Sequence, residues 1–155
     1  MVRVLATGTF DIIHLGHIRY LEEAKRLGDE LIVVVAHDNT VRKRKHDPIM
    51  PQEMRRRIVE SLKPVDKAVS GKDGDILEIV KEIKPDIIAL GYDQDFDEEE
   101  LERRLKDMGI EVRVVRCRKY DGDLDGTRRI IKRIAERIRN DRLYSGERDE
   151  EGGDS

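Results

Sequence analysis

The sequence contains one cysteine, Cys117, and no tryptophan among its 155 residues. A single thiol excludes a disulfide within the chain and a zinc site built from several cysteines. Aromatic residues are also scarce, at 4% of the chain. The sequence therefore does not show where a planar aromatic ligand would stack.

Long hydrophobic runs are missing as well. No apolar stretch approaches the roughly 20 residues that span a bilayer, and the N-terminus shows no signal-peptide pattern. We therefore expect a cytoplasmic protein with no membrane partner. The net charge of −3 argues against a general nucleic-acid binder.

Charge and hydrophobicity divide the chain into two parts. Residues 146–155 hold five acidic residues and one arginine, and 37% of the whole chain is hydrophobic. We expect one globular domain over residues 1–144 and a disordered acidic tail over residues 145–155.

Five short apolar segments alternate with helical patterns. The strands are expected near residues 2–6, 31–36, 68–69, 87–90 and 112–115, and His37 to Met50 is interpreted as irregular. The helix after Pro51 is expected to bury Met54, Ile58 and Leu62, and the helix after residue 97 to bury Leu101, Leu105 and Met108. This alternation predicts an α/β fold with one doubly wound, parallel five-stranded sheet in the order 3-2-1-4-5, Rossmann-like in its topology.

That strand order places strands one and four side by side at the switch point. Their carboxyl ends carry Gly8-Thr9-Phe10 and Gly91-Tyr92-Asp93. Ligands of open α/β sheets bind in the crevice at this point. We therefore predict a nucleotide site there.

Two histidines stand at the junction of the first strand with the first helix, in the run TGTFDIIHLGH of residues 7–17. His17 lies on the apolar stripe of the following helix, which directs it towards the sheet and the cleft above it. Two imidazoles beside a helix N-terminus can stabilise negative charge on phosphate oxygens. The purely structural alternative, in which His14 only caps the helix and His17 only packs against its neighbours, is less favoured. A zinc site is not predicted, because these two ligands have no third candidate nearby.

The motif HLGH at residues 14–17, behind GTFD at residues 8–11, resembles the signature of the nucleotidyltransferase superfamily of cytidylyltransferases and adenylyltransferases. That resemblance implies a Rossmann-like fold of the HUP type. Within it, the chain is most similar to the archaeal-type FAD synthases, over about residues 2–138. That second likeness also rests on residues 31–38 with 48–56, on residues 62–68, and on residues 84–94, which read KPDIIALGYDQ.

The resemblance implies a set of nucleotide-binding residues. His14 and His17 would be catalytic, and ATP would be held by Thr9, Phe10, His14, Leu15, Gly16, His17, Asp93 and Tyr120. Asp93 is otherwise a turn former, and Tyr120 could equally be a packing residue.

Other candidates for phosphate binding are weaker. Lys45 is the favoured member of the basic run 42–45, although such runs are usually solvated. One of Arg55 and Arg56 would bind phosphate, or both would form surface ion pairs. Thr127 would receive phosphate at the start of the last helix or act at least as its N-cap. Relatives commonly have serine where this chain has Gly126.

The activity that the resemblance implies is transfer of AMP from ATP to FMN, giving FAD and pyrophosphate. Mg²⁺ or another divalent cation would be carried by the ATP phosphates, and relatives are commonly homodimers. The alternative is a CTP-dependent cytidylyltransferase acting on glycerol 3-phosphate or a similar small phosphate, although residues 119–127 depart from the run typical of those enzymes. A non-catalytic nucleotide sensor is a third hypothesis.

Overall fold

The apolar segments form the five strands of one sheet in the computed structural model, which describes residues 1–44 and 46–140. The strands are β1 (Arg3–Gly8), β2 (Glu30–Val35), β3 (Lys67–Ser70), β4 (Ile87–Leu90) and β5 (Arg113–Arg116). All neighbouring pairs are parallel, in the order β3-β2-β1-β4-β5. The predicted fold and strand order are confirmed.

The helices are α1 (Leu15–Arg26), α2 (Asp38–Arg44), α3 (Gln52–Glu60), α4 (Ile76–Ile83), α5 (Glu98–Asp107) and α6 (Thr127–Arg139). Alternate side chains of the central strands face opposite layers. Val4 and Ala6 join a core with Leu21 of α1, whereas Leu5 joins a second core with Leu101 of α5. This alternation gives the sheet a buried face on each side.

Three expectations about the helices are wrong. Residues 38–44 form α2 rather than irregular chain. Met54 is 51% exposed, while its neighbour Arg55 is fully buried because its guanidinium finds acceptors inside the protein. Met108 is 38% exposed, since it caps α5 instead of lying on its buried face.

The sheet splits where β1 and β4 end. The β1–β4 pairing stops at Ala6 and Ala89, whereas β1 continues beside β2 as far as Gly8 and Val35. Two backbones that part at their carboxyl ends open a crevice. The split therefore sets the place of the candidate site.

Candidate active site

His14 and His17 form a reciprocal capping box at the start of the first helix. His14 is the N-cap of α1 in extended backbone, and its Nδ1 accepts a hydrogen bond from the backbone N–H of Gly16 at 3.0 Å. His17 Nδ1 accepts from the backbone N–H of His14 at 3.2 Å. The ring centroids lie 3.8 Å apart. Both imidazoles are thus held by the backbone that they cap.

These bonds define the tautomers. A nitrogen that accepts a hydrogen bond carries no proton, so in each neutral ring the proton lies on Nε2. Burial lowers the pKa of His14 below its ordinary value of 6.5, an effect that the carboxylate of Asp125 opposes. A neutral His14 with an Nε2–H donor is the form that this geometry favours.

Gly16 is required by the position of the His14 ring. A Cβ at residue 16 would lie 2.8 Å from His14 Cε1 and 2.9 Å from His14 Nδ1. Such distances are far below normal carbon contact. Glycine at this position therefore leaves room for the capping imidazole.

The loop that leads to His14 has an unusual backbone. Phe10 and Ile12 adopt left-handed conformations, with φ values of 55° and 56°, which are costly for side chains with a Cβ and especially for a branched one. Between them, Asp11 is 3% exposed. Its carboxylate accepts from the backbone N–H groups of Ile49 at 2.7 Å and Met50 at 3.0 Å.

Arg55 holds the same loop from below. Its guanidinium donates to the carbonyls of Thr9 at 2.7 Å and Met50 at 2.9 Å, and it pairs with the carboxylate of Asp38 at 2.6 Å. Neither predicted role of Arg55 is correct, because it is neither a surface pair nor exposed to phosphate. Arg56 forms the expected surface pair with Glu53 at 2.8 Å.

Two side chains bridge the split between β1 and β4. The amide of Gln94 accepts from the N–H of Gly91 at 2.7 Å and donates to the carbonyl of Thr7 at 2.9 Å. The hydroxyl of Tyr20 donates to the carbonyl of Ala89 at 2.5 Å. Burial raises the pKa of Tyr20, so its hydroxyl stays protonated. Both groups hold the strands at a constant separation where backbone pairing has ended.

Arg116 shapes the loop that carries Asp93. Its guanidinium donates to the carbonyls of Gly91 at 2.9 Å and Gln94 at 2.7 Å, and it also contacts Phe96 and Glu98. A planar group with five donors can gather several carbonyls that would otherwise lack partners. The loop is thereby folded back, and Asp93 is left exposed at the crevice.

The start of α6 forms the opposite wall. Gly126 is the N-cap but supplies no side-chain cap, so Thr127 is not the N-cap that was predicted. Thr127 instead donates its hydroxyl to the carbonyl of Asp11 at 2.9 Å. Asp125 pairs with Arg129 at 2.8 Å. The helix N-terminus is tied directly to the histidine loop.

A cleft of about 320 Å³ lies between these elements. Its lining comprises His14, Gly16, His17, Tyr20, His46, Gly91, Tyr92, Asp93, Arg118, Tyr120, Asp125, Gly126, Thr127, Arg128, Arg129 and Ile131. Six predicted site residues therefore share one cavity, namely His14, Gly16, His17, Asp93, Tyr120 and Thr127.

Other predicted residues are placed differently. Thr9, Phe10 and Leu15 do not line the cleft; Phe10 is 2% exposed and packs in the core. Lys45 and the proposed tail fall outside the described residues. The sequence analysis missed His46, although it stands at the end of the basic run.

Cys117 is buried beside the cleft. Burial, with Glu23 next to it, raises the pKa of its thiol to about 12. A thiol with so little thiolate at neutral pH is a poor nucleophile.

No helix among residues 1–44 and 46–140 combines the length and apolarity needed to cross a bilayer.

Comparisons with known proteins agree with this arrangement. The model of the cytidylyltransferase-like family matches residues 5–144. The chain is 56% identical over 149 residues to a FAD synthase of Aciduliprofundum boonei, covering 96% of this chain and 99% of the relative. It is 57% identical over 141 residues to a FAD synthase of Archaeoglobus profundus, covering 90% of each.

A solved structure is also similar. It is described as the lipopolysaccharide core biosynthesis protein from Thermoplasma volcanium. It is 55% identical to this chain with a TM-score of 0.77, over 78% of this chain and 99% of that one.

Proposed function

The chain belongs to the cytidylyltransferase-like family, and from that membership we propose that it transfers AMP from ATP to FMN, giving FAD and pyrophosphate. The observation that carries this function is the 56% identity, over nearly the whole of both chains, to a curated FAD synthase. The cytidylyltransferase alternative is not favoured, because the relatives at 50–58% identity are FAD synthases. The same relatives argue against the non-catalytic sensor.

The reaction is a substitution at the α-phosphorus of ATP. A phosphate oxygen of FMN forms the new bond, and the bond to the bridging oxygen of the pyrophosphate group breaks with its electron pair. The FMN phosphate is already anionic, so it needs no strong general base. Catalysis then depends on orientation and on stabilising the charge that develops on the phosphoryl oxygens.

His14 and His17 are the groups suited to stabilise that charge. Because each Nδ1 accepts from the backbone, the donor atom of each neutral imidazole is Nε2, and this is the group that would bind a phosphoryl oxygen. The rigid caps hold these donors before substrate arrives, so little reorganisation is needed. Gly16 supports the same geometry by leaving space for His14.

The β- and γ-phosphates would lie at the start of α6. Backbone N–H groups at a helix N-terminus attract anions, and Thr127 and Gly126 line the cleft there. Asp93 would contact the nucleotide from the loop after β4, and Tyr120 from the loop before α6. Thr9 and Phe10 would act through their backbone and Lys45 through its charge. Leu15 would belong to the run 14–17 that brackets the phosphates.

A divalent cation fits this site. Mg²⁺ usually binds one or two carboxylates together with substrate phosphates, and Asp93 and Asp125 both line the cleft. Mg²⁺ or another divalent cation would be carried into the cleft by the ATP phosphates, and Asp93 would bind it there, since Asp125 is already paired with Arg129. When bound, the cation neutralises charge on the phosphates.

The decisive experiment is a matrix of substrates. ATP or CTP is incubated with FMN or glycerol 3-phosphate, and both pyrophosphate release and FAD formation are measured. We expect FAD and pyrophosphate in equal amounts from ATP with FMN only. The His17→Ala variant serves as the control for contaminating enzymes and should be slower by ~10²–10³ in kcat. Pyrophosphate released only with CTP would overturn the assignment.

A further inference from the structure

A third histidine, His46, lines the cleft together with His14 and His17. It reaches the cleft from the segment between α2 and α3. His14 and His17 belong instead to the start of α1. The residue is therefore independent of the HLGH motif.

The segment that carries His46 is anchored at its far end. Its amides at Ile49 and Met50 donate to the buried carboxylate of Asp11, and the Met50 carbonyl accepts from Arg55. On the near side, Asp47 pairs with Arg42 at 3.2 Å. These contacts fix the base of the segment to the same loop that leads to His14.

Nδ1 of His46 has the opposite role in its hydrogen bond from Nδ1 of His14 and His17, which accept. Its Nδ1 lies 2.7 Å from the carbonyl oxygen of Asp47. A carbonyl can only accept, so Nδ1 carries the proton. A neutral His46 ring thus has a lone pair on Nε2, and it can donate from Nε2 only as an imidazolium cation.

Among the described residues that line the cleft, most of the positive charge is already engaged in ion pairs. Of its three arginines, Arg118 pairs with Glu23 at 2.9 Å and Arg129 pairs with Asp125 at 2.8 Å. Arg128 has no ion-pair partner among the described residues. A triphosphate and a phosphate monoester together bring several negative charges to this cavity.

Among the described residues, the other ionisable groups of the cleft are the carboxylates, the phenols and the two histidines of the HLGH motif. Asp93 from the loop after β4 is negative, and Tyr120 from the loop after β5 is a phenol. His14 favours its neutral form, with its pKa lowered by burial. An imidazolium at His46 would thus add positive charge where phosphates must be held.

We propose that His46 binds a phosphate group of the substrates as an imidazolium cation that takes up a proton when the phosphate arrives. The phosphate belongs to the nucleotide triphosphate or to the phosphate monoester of the acceptor, both of which share this chemistry. The inference rests on the proposed function only for the identity of the two ligands.

The test uses calorimetric binding of ATP, of FMN and of pyrophosphate to the full chain, so it does not depend on turnover. His46→Gln keeps the reach of the side chain and removes its charge, whereas His46→Lys keeps a cation that needs no added proton. Lys43→Gln is the matched control, because it removes a charge from neighbouring α2, where Lys43 pairs with Asp73 at 3.1 Å outside the cleft. Thermal unfolding checks that all variants fold.

We expect His46→Gln to raise the Kd of its phosphate ligand by about tenfold, the usual effect of a charge-assisted hydrogen bond. His46→Lys should stay within about threefold of the parent, since its cation is retained. Measurements in two buffers of different ionisation enthalpy should show less proton uptake in both variants than in the parent. A higher Kd for ATP and for pyrophosphate would show that His46 binds the triphosphate. A higher Kd for FMN alone would show that it binds the phosphate of the acceptor.

The proposal is overturned if His46→Gln leaves all three Kd values unchanged, or if Lys43→Gln weakens binding equally. It is also overturned if proton uptake is the same in all variants. Each of these results can occur while the parent chain makes FAD, so the failure of this proposal is separable from the failure of the proposed function.

Discussion

Replacing His14 by asparagine should separate its two roles. His14 caps α1 through Nδ1 and is proposed to donate to the phosphoryl group through Nε2. Asparagine is among the best N-cap residues, and its side-chain oxygen can replace Nδ1 as the acceptor for the Gly16 N–H. It has no group that reaches the position of Nε2. The variant should therefore keep the helix and lose the catalytic donor.

The two roles differ in size. Loss of one preorganised donor to a developing oxyanion costs about 2.7–4 kcal/mol, or ~10²–10³ in kcat. Loss of an N-cap costs about 1 kcal/mol of unfolding free energy, which corresponds to roughly 2–4 °C in Tm for a chain of this size. We expect His14→Asn to show the kinetic loss alone and His14→Ala to show both losses.

The assay is pyrophosphate release at saturating ATP and FMN, combined with thermal unfolding followed by circular dichroism. Saturating substrate separates kcat from binding. If His14→Asn keeps kcat within a few-fold of the parent, the Nε2 donor is not used, and the role of His14 is only to cap the helix. A drop in Tm as large as that of His14→Ala would show instead that the cap was not preserved.

Three further outcomes follow from buried groups. Burial lowers the pKa of His14 below 6.5, so its neutral form contributes stability above that pH. Both kcat and Tm should therefore fall as the pH drops through the lowered pKa. In His14→Asn, this part of the decrease at acid pH should vanish. Arg55→Met should lower the free energy of unfolding, measured by urea titration, by about 3–5 kcal/mol, because it leaves the Asp38 carboxylate without its partner. Arg56→Met on the same helix is the control and should lower it by no more than about 1 kcal/mol. Cys117, with a pKa of about 12, should resist alkylation at neutral pH until urea unfolds the chain, and rapid labelling of the native protein would contradict its burial.

The sheet was predictable because its signals are local. Each strand is a short apolar run, and alternation with helices leaves few topologies once right-handed crossovers are required. The meeting of Gly8 with Gly91 at the switch point follows from that order. The position of the cleft and of the two histidines of the HLGH motif could therefore be predicted from the sequence.

The misses arise from contacts between distant parts of the chain. Met54 was expected in the core, but Arg55 takes that place because Thr9 and Asp38 supply acceptors for its guanidinium. Thr127 looks like an N-cap, yet its hydroxyl binds a carbonyl 116 residues away. Periodicity carries no information on such partners, and His46 was overlooked for the same reason.

The left-handed residues Phe10 and Ile12 have a consequence for the order of synthesis. The loop that contains them is held by Ile49 and Met50, by Arg55 and by Thr127. A nascent chain that has made only β1 and α1 lacks every one of these partners, and Thr127 is among the last of them to leave the ribosome. A domain generally folds as a unit during synthesis, not segment by segment. We therefore expect the histidines to reach their working positions only when nearly the whole chain has been made, so that a partly made protein would not consume nucleotide.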